Sequence, residues 1–145
     1  MDHWDEFRIE RSMLRIGTFL AAKRNSRLRE RGLTASQSEA LLFLHENPGS
    51  SITSLKKYLK ISHQAARILV ERLREKELVS VRPDEVDSRL RNIALTELGC
   101  LLFAQLKQEG QEVGVCLLKS LSPEEMVQLD ALLQKISESM QVEQA

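Results

Sequence analysis

The stretch Asp87-Ser88-Arg89-Leu90-Arg91-Asn92-Ile93-Ala94-Leu95-Thr96-Glu97-Leu98-Gly99 decides how this chain is read. Asn92 to Leu95 is a short β-like run, and Val79 to Arg82 is another just upstream. Pro83 to Leu90 lies between them and is polar and charged, so the segment predicts a hairpin with a long tip. Arg89 and Arg91 sit near that tip, and Asp87 has the reach to hold the Arg89 guanidinium in a two-point pair. A guanidinium on a thin finger suits the narrow minor groove of a DNA duplex, where negative potential is focused. The plain alternative is a solvated, charged turn.

Outward from the hairpin the chain reads as helical. On the upstream side, Ser62 is placed as the N-cap of a helix running to about Lys76. Its turns of about 100° per residue put His63, Gln64, Arg67, Glu71 and Arg74 on one polar arc. Ala65, Ala66, Leu69 and Leu73 fall on the opposite side, with Val70 at its edge. A short helix precedes it, capped by Ser51 or Thr53 and presenting Leu55, Tyr58 and Leu59. Two short helices joined by a tight turn let the second enter a major groove while the first braces it. There Gln64 and Arg67 suit base or phosphate contacts, and His63 sits in the first turn. Glu71 repels phosphate, and pairing with Arg67 or Arg74 at helical spacing is its simplest use. An ordinary amphipathic surface helix reads the same on the wheel.

Further upstream, Thr34 and Gln37 have capping-box spacing for an apolar helix that Asn47-Pro48-Gly49 stops. Residues 4–30 form a long helical candidate through Trp4, Phe7, Met13, Leu14, Ile16 and Leu20. Its basic end (Lys23, Arg24, Arg27, Arg29, Arg31) suits the helix dipole, and Gly32 suits a left-handed cap. Downstream, Thr96 caps a fifth helix to about Leu118, and Ser122-Pro123-Glu124-Glu125 opens a sixth. In that last helix Met126, Leu129, Leu133, Ile136 and Met140 make an apolar stripe that needs another helix to cover it, from this chain or a partner.

The 145 residues carry a formal net charge of zero, and 42% are hydrophobic, which fits one globular domain and excludes a disordered chain. The charge is unevenly spread. Over 53–91, ten basic side chains face six acidic ones; over 97–145, three face eight. The basic middle suits a nucleic-acid-facing region, and an uneven solvated surface is its bland counterpart. The start, Met1 to Glu6, has no basic and apolar leader, and no apolar run reaches the ~18 residues of a membrane span, so a cytoplasmic protein is expected. Cys100 and Cys116 form no metal or redox motif and read as structural thiols. His3, His45 and His63 have no metal-ligand spacing, and no nucleophile elbow or phosphate loop occurs. The expectation is a protein that is not an enzyme and needs no metal or cofactor.

Residues 33–99 resemble the DNA-binding core of the multiple-antibiotic-resistance regulator (MarR) family. The resemblance is carried by Leu33-Thr34 with Gln37, by Ile61-Ser62 with Arg67-Ile68-Leu69-Val70-Glu71-Arg72-Leu73, and above all by Asp87-Ser88-Arg89, Ile93-Ala94-Leu95-Thr96 and Gly99. It implies a mainly α fold with a small β-hairpin: a six-helix winged helix-turn-helix dimer in a single domain, 1–145. The DNA-binding lobe is then 33–96, with its helix-turn-helix at about 53–76 and wing at about 79–95. Residues 1–31 and 97–145 form a helical dimerisation region. The implied function is a sequence-specific double-stranded DNA-binding regulator, a repressor released by a small-molecule effector. Its homodimer reads a pseudo-palindromic operator with half-sites about 34 Å apart. The implied DNA-binding residues are Ser62, His63, Gln64, Arg67, Arg74, Arg89 and Arg91, with Asp87 orienting the wing.

Three features depart from the family pattern. The recognition helix opens His63-Gln64-Ala65-Ala66 rather than with several Ser or Thr. Glu77 stands where a Gly usually closes that helix; a left-handed cap there would cost ~1 kcal/mol more than with Gly, so a different turn is expected. No cysteine lies near the start of the chain, where oxidant-sensing members carry one. A rival reading is a winged-helix protein–protein adaptor without specific DNA binding, and Arg89 and Arg91 argue against it.

Overall fold

The computed structural model describes residues 5–143, so the expected helical start at Trp4 and the residue His3 lie outside it. Helices α1 (Glu6–Glu30) and α2 (Ala35–Glu46) are followed by strand β1 (Ser50–Ser51), α3 (Ile52–Leu59) and α4 (His63–Glu75). Strands β2 (Val79–Pro83) and β3 (Arg91–Leu95) come next, then α5 (Glu97–Leu118) and α6 (Pro123–Glu143). The chain divides into two compact units, residues 1–106 and 107–145.

The expected caps form. Thr34 Oγ1 accepts from Gln37 N while Gln37 Oε1 accepts from Thr34 N, each at 3.1 Å. Ser51, rather than Thr53, caps α3, accepting from Ser54 N at 3.1 Å. Ser62 Oγ accepts from Ala65 N at 3.1 Å, and Ser122 and Glu125 close the box that opens α6. Gly32 ends α1 at φ 66°, with Leu33 N donating to Leu28 O at 2.9 Å.

The core of the first unit gathers Leu41 and Leu44 of α2, Leu55 of α3, Leu73 of α4 and Ile93 of β3, all essentially without exposure. Each such side chain contributes roughly 1.5–3 kcal/mol by leaving water. Ile93 owes its burial to its place in the middle strand. The sheet is antiparallel in the order β1-β3-β2, with Ile93 opposite Ser50 on one side and Val81 on the other. The expected two-stranded hairpin is therefore a three-stranded sheet.

Two further expectations are corrected. Ala65 was placed on the inward side of α4 but is exposed, because the buried arc is narrower and consists of Ala66, Leu69, Val70 and Leu73. The turn after α4 keeps the left-handed conformation despite lacking Gly: Glu77 has φ 61°. One tertiary bond and one local helix-end bond hold it there. Thr96 Oγ1 donates to Glu77 O at 2.6 Å, and Leu78 N donates to Leu73 O at 3.0 Å. Glu77→Gly keeps those backbone bonds and removes the Cβ penalty, so it is expected to stabilise the protein by about 1 kcal/mol. A rise in the urea midpoint checks this; a fall contradicts it.

Thr96 also ties the hairpin base to α5. Its amide donates to Leu78 O at 3.0 Å, and its hydroxyl accepts from Gly99 N at 3.0 Å. Leu78 O lies 2.1 Å from where a Cβ on residue 99 would be. The run Leu95-Thr96 followed by Gly99 is thus a packing device: a cap, a carbonyl anchor and a site without room for a side chain.

In the second unit, no side chain among residues 107–141 is buried. Met126, Leu133, Ile136 and Met140 of the apolar stripe are exposed, and Leu129 is half-buried. In the first unit, α1 likewise exposes Phe7, Met13, Leu14, Ile16 and Phe19. Both cysteines are free and exposed. Among the described residues, no helix is long and apolar enough to cross a membrane, and no group of three or more His, Cys, Asp or Glu side chains is placed to hold a metal ion.

Candidate nucleic-acid interface

A cleft of about 570 Å³ lies between α4 and the β2–β3 wing. His63, Arg67 and Arg74 line it from α4, and Arg89 and Arg91 line it from the wing. Five of the site residues read from the sequence thus meet on one surface, although 26 residues separate the first from Arg89. Burial of the opposite face of α4 turns this arc outward, and the strand pairing swings the wing beside it.

The remaining expected residues lie at its margins. Ser62 is exposed and occupied as the α4 cap. Gln64 is exposed on the flank of α4 and does not line the cleft. Asp87 holds Arg89 from behind: Nε donates to Asp87 Oδ1 at 3.0 Å and Nη2 to Oδ2 at 3.2 Å. The Arg89 backbone amide also donates to Asp87 Oδ1, at 3.1 Å. The Arg89 side chain is still 88% exposed, so it is oriented without being consumed by the pair.

Two contributions were not read from the sequence as parts of the site, the start of α3 and Asp84, and a third, Glu71, was read on the polar arc without a part in binding. Ser51, Ile52 and Thr53 bring the start of α3 to the cleft wall, and the positive end of a helix dipole favours anions. Glu71 places a carboxylate in the lining, paired with Arg74 at 3.8 Å rather than with Arg67. Asp84 organises the wing tip: Oδ2 accepts from Val86 N at 3.0 Å and Asp87 N at 2.9 Å, while Oδ1 accepts from Asn92 Nδ2 at 2.9 Å. Asp84 N in turn donates to Leu90 O at 3.0 Å, which closes the loop that carries Arg89. The Pro83-Asp84 turn was the available signal, since Asp side chains bond backbone amides two residues on.

Both wing carboxylates are held below the ordinary value of 3.8. For Asp84 the chief cause is the Asn92 hydrogen bond, followed by the amides of Asp87 and Val86; for Asp87 it is the Arg89 side chain, then the Arg89 amide. A carboxylate with a lowered value in the folded state confers order that is complete above the ordinary value. That order is lost as pH falls through the lowered values. The amide resonances of Val86, Asp87 and Arg89 are therefore expected to lose their folded positions with midpoints below 3.8. A midpoint above that value contradicts the assignment. Asp84→Ala is expected to collapse the same resonances at neutral pH.

His45, near the end of α2, stacks on Phe103 with ring centroids 4.2 Å apart and takes no part in the cleft.

The MarR family model matches residues 31–90, which span α2 to the wing tip. NicR, an HTH-type transcriptional repressor of Pseudomonas putida, is 32% identical over 107 residues, covering 74% of this chain and 68% of NicR. A MarR family protein from Bacillus stearothermophilus superposes with a TM-score of 0.83 at 23% identity, over 96% of this chain and 99% of that one. A variant of Staphylococcus aureus MepR bound to an oligodeoxyribonucleotide superposes with a TM-score of 0.66 at 26% identity, over 95% of this chain and 99% of its own. The wing signature, the fold and the NicR similarity agree: the chain belongs to the MarR family of winged helix-turn-helix transcriptional regulators.

Proposed function

We propose that this protein is a homodimeric, sequence-specific double-stranded DNA-binding repressor that a small-molecule effector releases. The observation that carries the DNA reading is the cleft in which His63, Arg67 and Arg74 of α4 face Arg89 and Arg91 of the wing. An outward-facing helix arc with an arginine-bearing finger beside it is the arrangement that puts a helix in the major groove and a finger in the adjacent minor groove. In this reading the DNA-contacting set is Ser62, His63, Gln64, Arg67, Arg74, Arg89 and Arg91, with Asp87 orienting the wing. The lobe is 33–96.

Residues 1–31 and 97–145 serve dimerisation. Exposed large apolar side chains on α1 and, in the other unit, on α6 support this, since several such side chains on one helix are seldom left to water. Two-fold symmetry then gives a pseudo-palindromic operator. NicR is a transcriptional repressor, and release by a small molecule follows the family resemblance. The protein acts in the cytoplasm and catalyses no reaction.

Binding to a random-sequence duplex across a salt series tests the reading. Counterion release predicts that log affinity falls linearly with log salt, with a slope near −0.9 for each phosphate neutralised. A flat response sinks the DNA reading and favours the adaptor.

A further inference from the structure

The cleft wall contains one feature that general attraction to DNA does not explain. Glu71 is the one carboxylate in its lining among the described residues, set among His63, Arg67, Arg74, Arg89 and Arg91. It lies about 12 Å along α4 from His63, and on the wheel it falls between Arg67 and Gln64. Its side chain is 60% exposed, and its ion pair with Arg74 is loose at 3.8 Å, beyond hydrogen-bond distance. Among the described residues only that loose pair ties it to the fold, and next to phosphate it is repelled.

We propose that Glu71 is a specificity-determining residue that accepts a hydrogen bond from the N4 amino group of one cytosine in each half-site. The inference rests on the DNA reading above. In the major groove, guanine offers N7 and O6 and thymine offers O4, all acceptors that repel a carboxylate. Adenine offers an amino donor but sets its N7 acceptor beside it. Cytosine offers the amino donor alone, so it is the base edge that best compensates for the lost hydration of Glu71. Glu71 thereby lowers affinity for wrong sequences as well as raising it for the right one, which is how discrimination is gained without tighter overall binding.

The test is selection of bound sequences from a random duplex pool by the full-length wild type, Glu71→Ala and Glu71→Gln. Thermal melting of each variant accompanies it. The exposed Glu71–Arg74 pair contributes little to stability, so both variants fold. Wild type is expected to enrich cytosine about tenfold over thymine at one symmetric position in each half-site. Glu71→Ala loses that enrichment and keeps the others, and its affinity for random duplex rises about two- to threefold as the repulsion disappears. Glu71→Gln shifts the preference to adenine, which an amide bonds at N6 and N7. An unchanged cytosine preference in both variants overturns this inference alone, as does uniform loss at every position. A wild type that enriches no sequence overturns the DNA reading and the inference with it.

Discussion

Arg89→Ala is expected to weaken binding to duplex DNA about ten- to a hundredfold, equivalent to roughly 1.4–3 kcal/mol. The salt slope is expected to fall by about one phosphate equivalent. The size of the effect follows from how Arg89 is presented. Its side chain is 88% exposed and fixed at Nε and Nη2 by Asp87, so little rotamer freedom remains to be lost when DNA arrives. The same exposure means that the folded protein barely depends on it, because exposed ion pairs are worth about 0–1 kcal/mol. An anisotropy titration beside a thermal melt separates the two roles. Unchanged affinity defeats the wing assignment; lost affinity together with lost folding shows a structural role instead.

Gly99→Ala is expected to destabilise the protein by about 3 kcal/mol or more, at the upper end of overpacking effects. A Cβ at this position meets Leu78 O at 2.1 Å and Leu78 C at 3.1 Å. Those atoms belong to the backbone and cannot rotate away as a side chain does. Relief requires Leu78 to move, yet Leu78 O is the acceptor for Thr96 N, and Leu78 N bonds Leu73 O at the end of α4. The clash therefore strains the α4 end, the hairpin base and the start of α5 together. Urea denaturation followed by circular dichroism measures the loss. A midpoint within error of wild type shows that α5 shifts freely, against the packing described here.

How much of this was legible in the sequence depends on the range of the interaction. Thr34, Ser62 and Ser122 bond amides three residues on, so their caps could be read from adjacent letters. The Asp87–Arg89 pair spans two residues and was equally readable. Strand β1 was not: Ser50 and Ser51 become a strand only because Ile93 and Asn92 lie opposite. Glu77 was misread for a similar reason. Its local preference opposes a positive φ, and the Thr96 hydroxyl, 19 residues away, overrides it. Asp84 was overlooked because its hold on the wing depends partly on Asn92 across the hairpin. The wheel on α4 found the outward arc correctly but overextended the inward one to Ala65, since periodicity gives a direction and not the width of the neighbouring surface.

The MarR-type signature has a physical meaning in this chain. Asp87 and Arg89 shape the finger, whereas Leu95-Thr96 and Gly99 fasten its base to α5. One half presents the guanidinium and the other keeps the hairpin at a fixed angle to α4. A DNA-reading surface needs both, because an arginine placed an ångström away from its groove loses much of its benefit.

The most direct test is a map of backbone amide shifts on adding duplex DNA to the isotopically labelled protein. The largest changes are expected in α4 from Ser62 to Arg74 and in the wing from Asp84 to Arg91, with smaller ones at Ser51 to Thr53 and none along the exposed face of α6. Changes that leave α4 and the wing untouched, or that concentrate on α6, contradict the account.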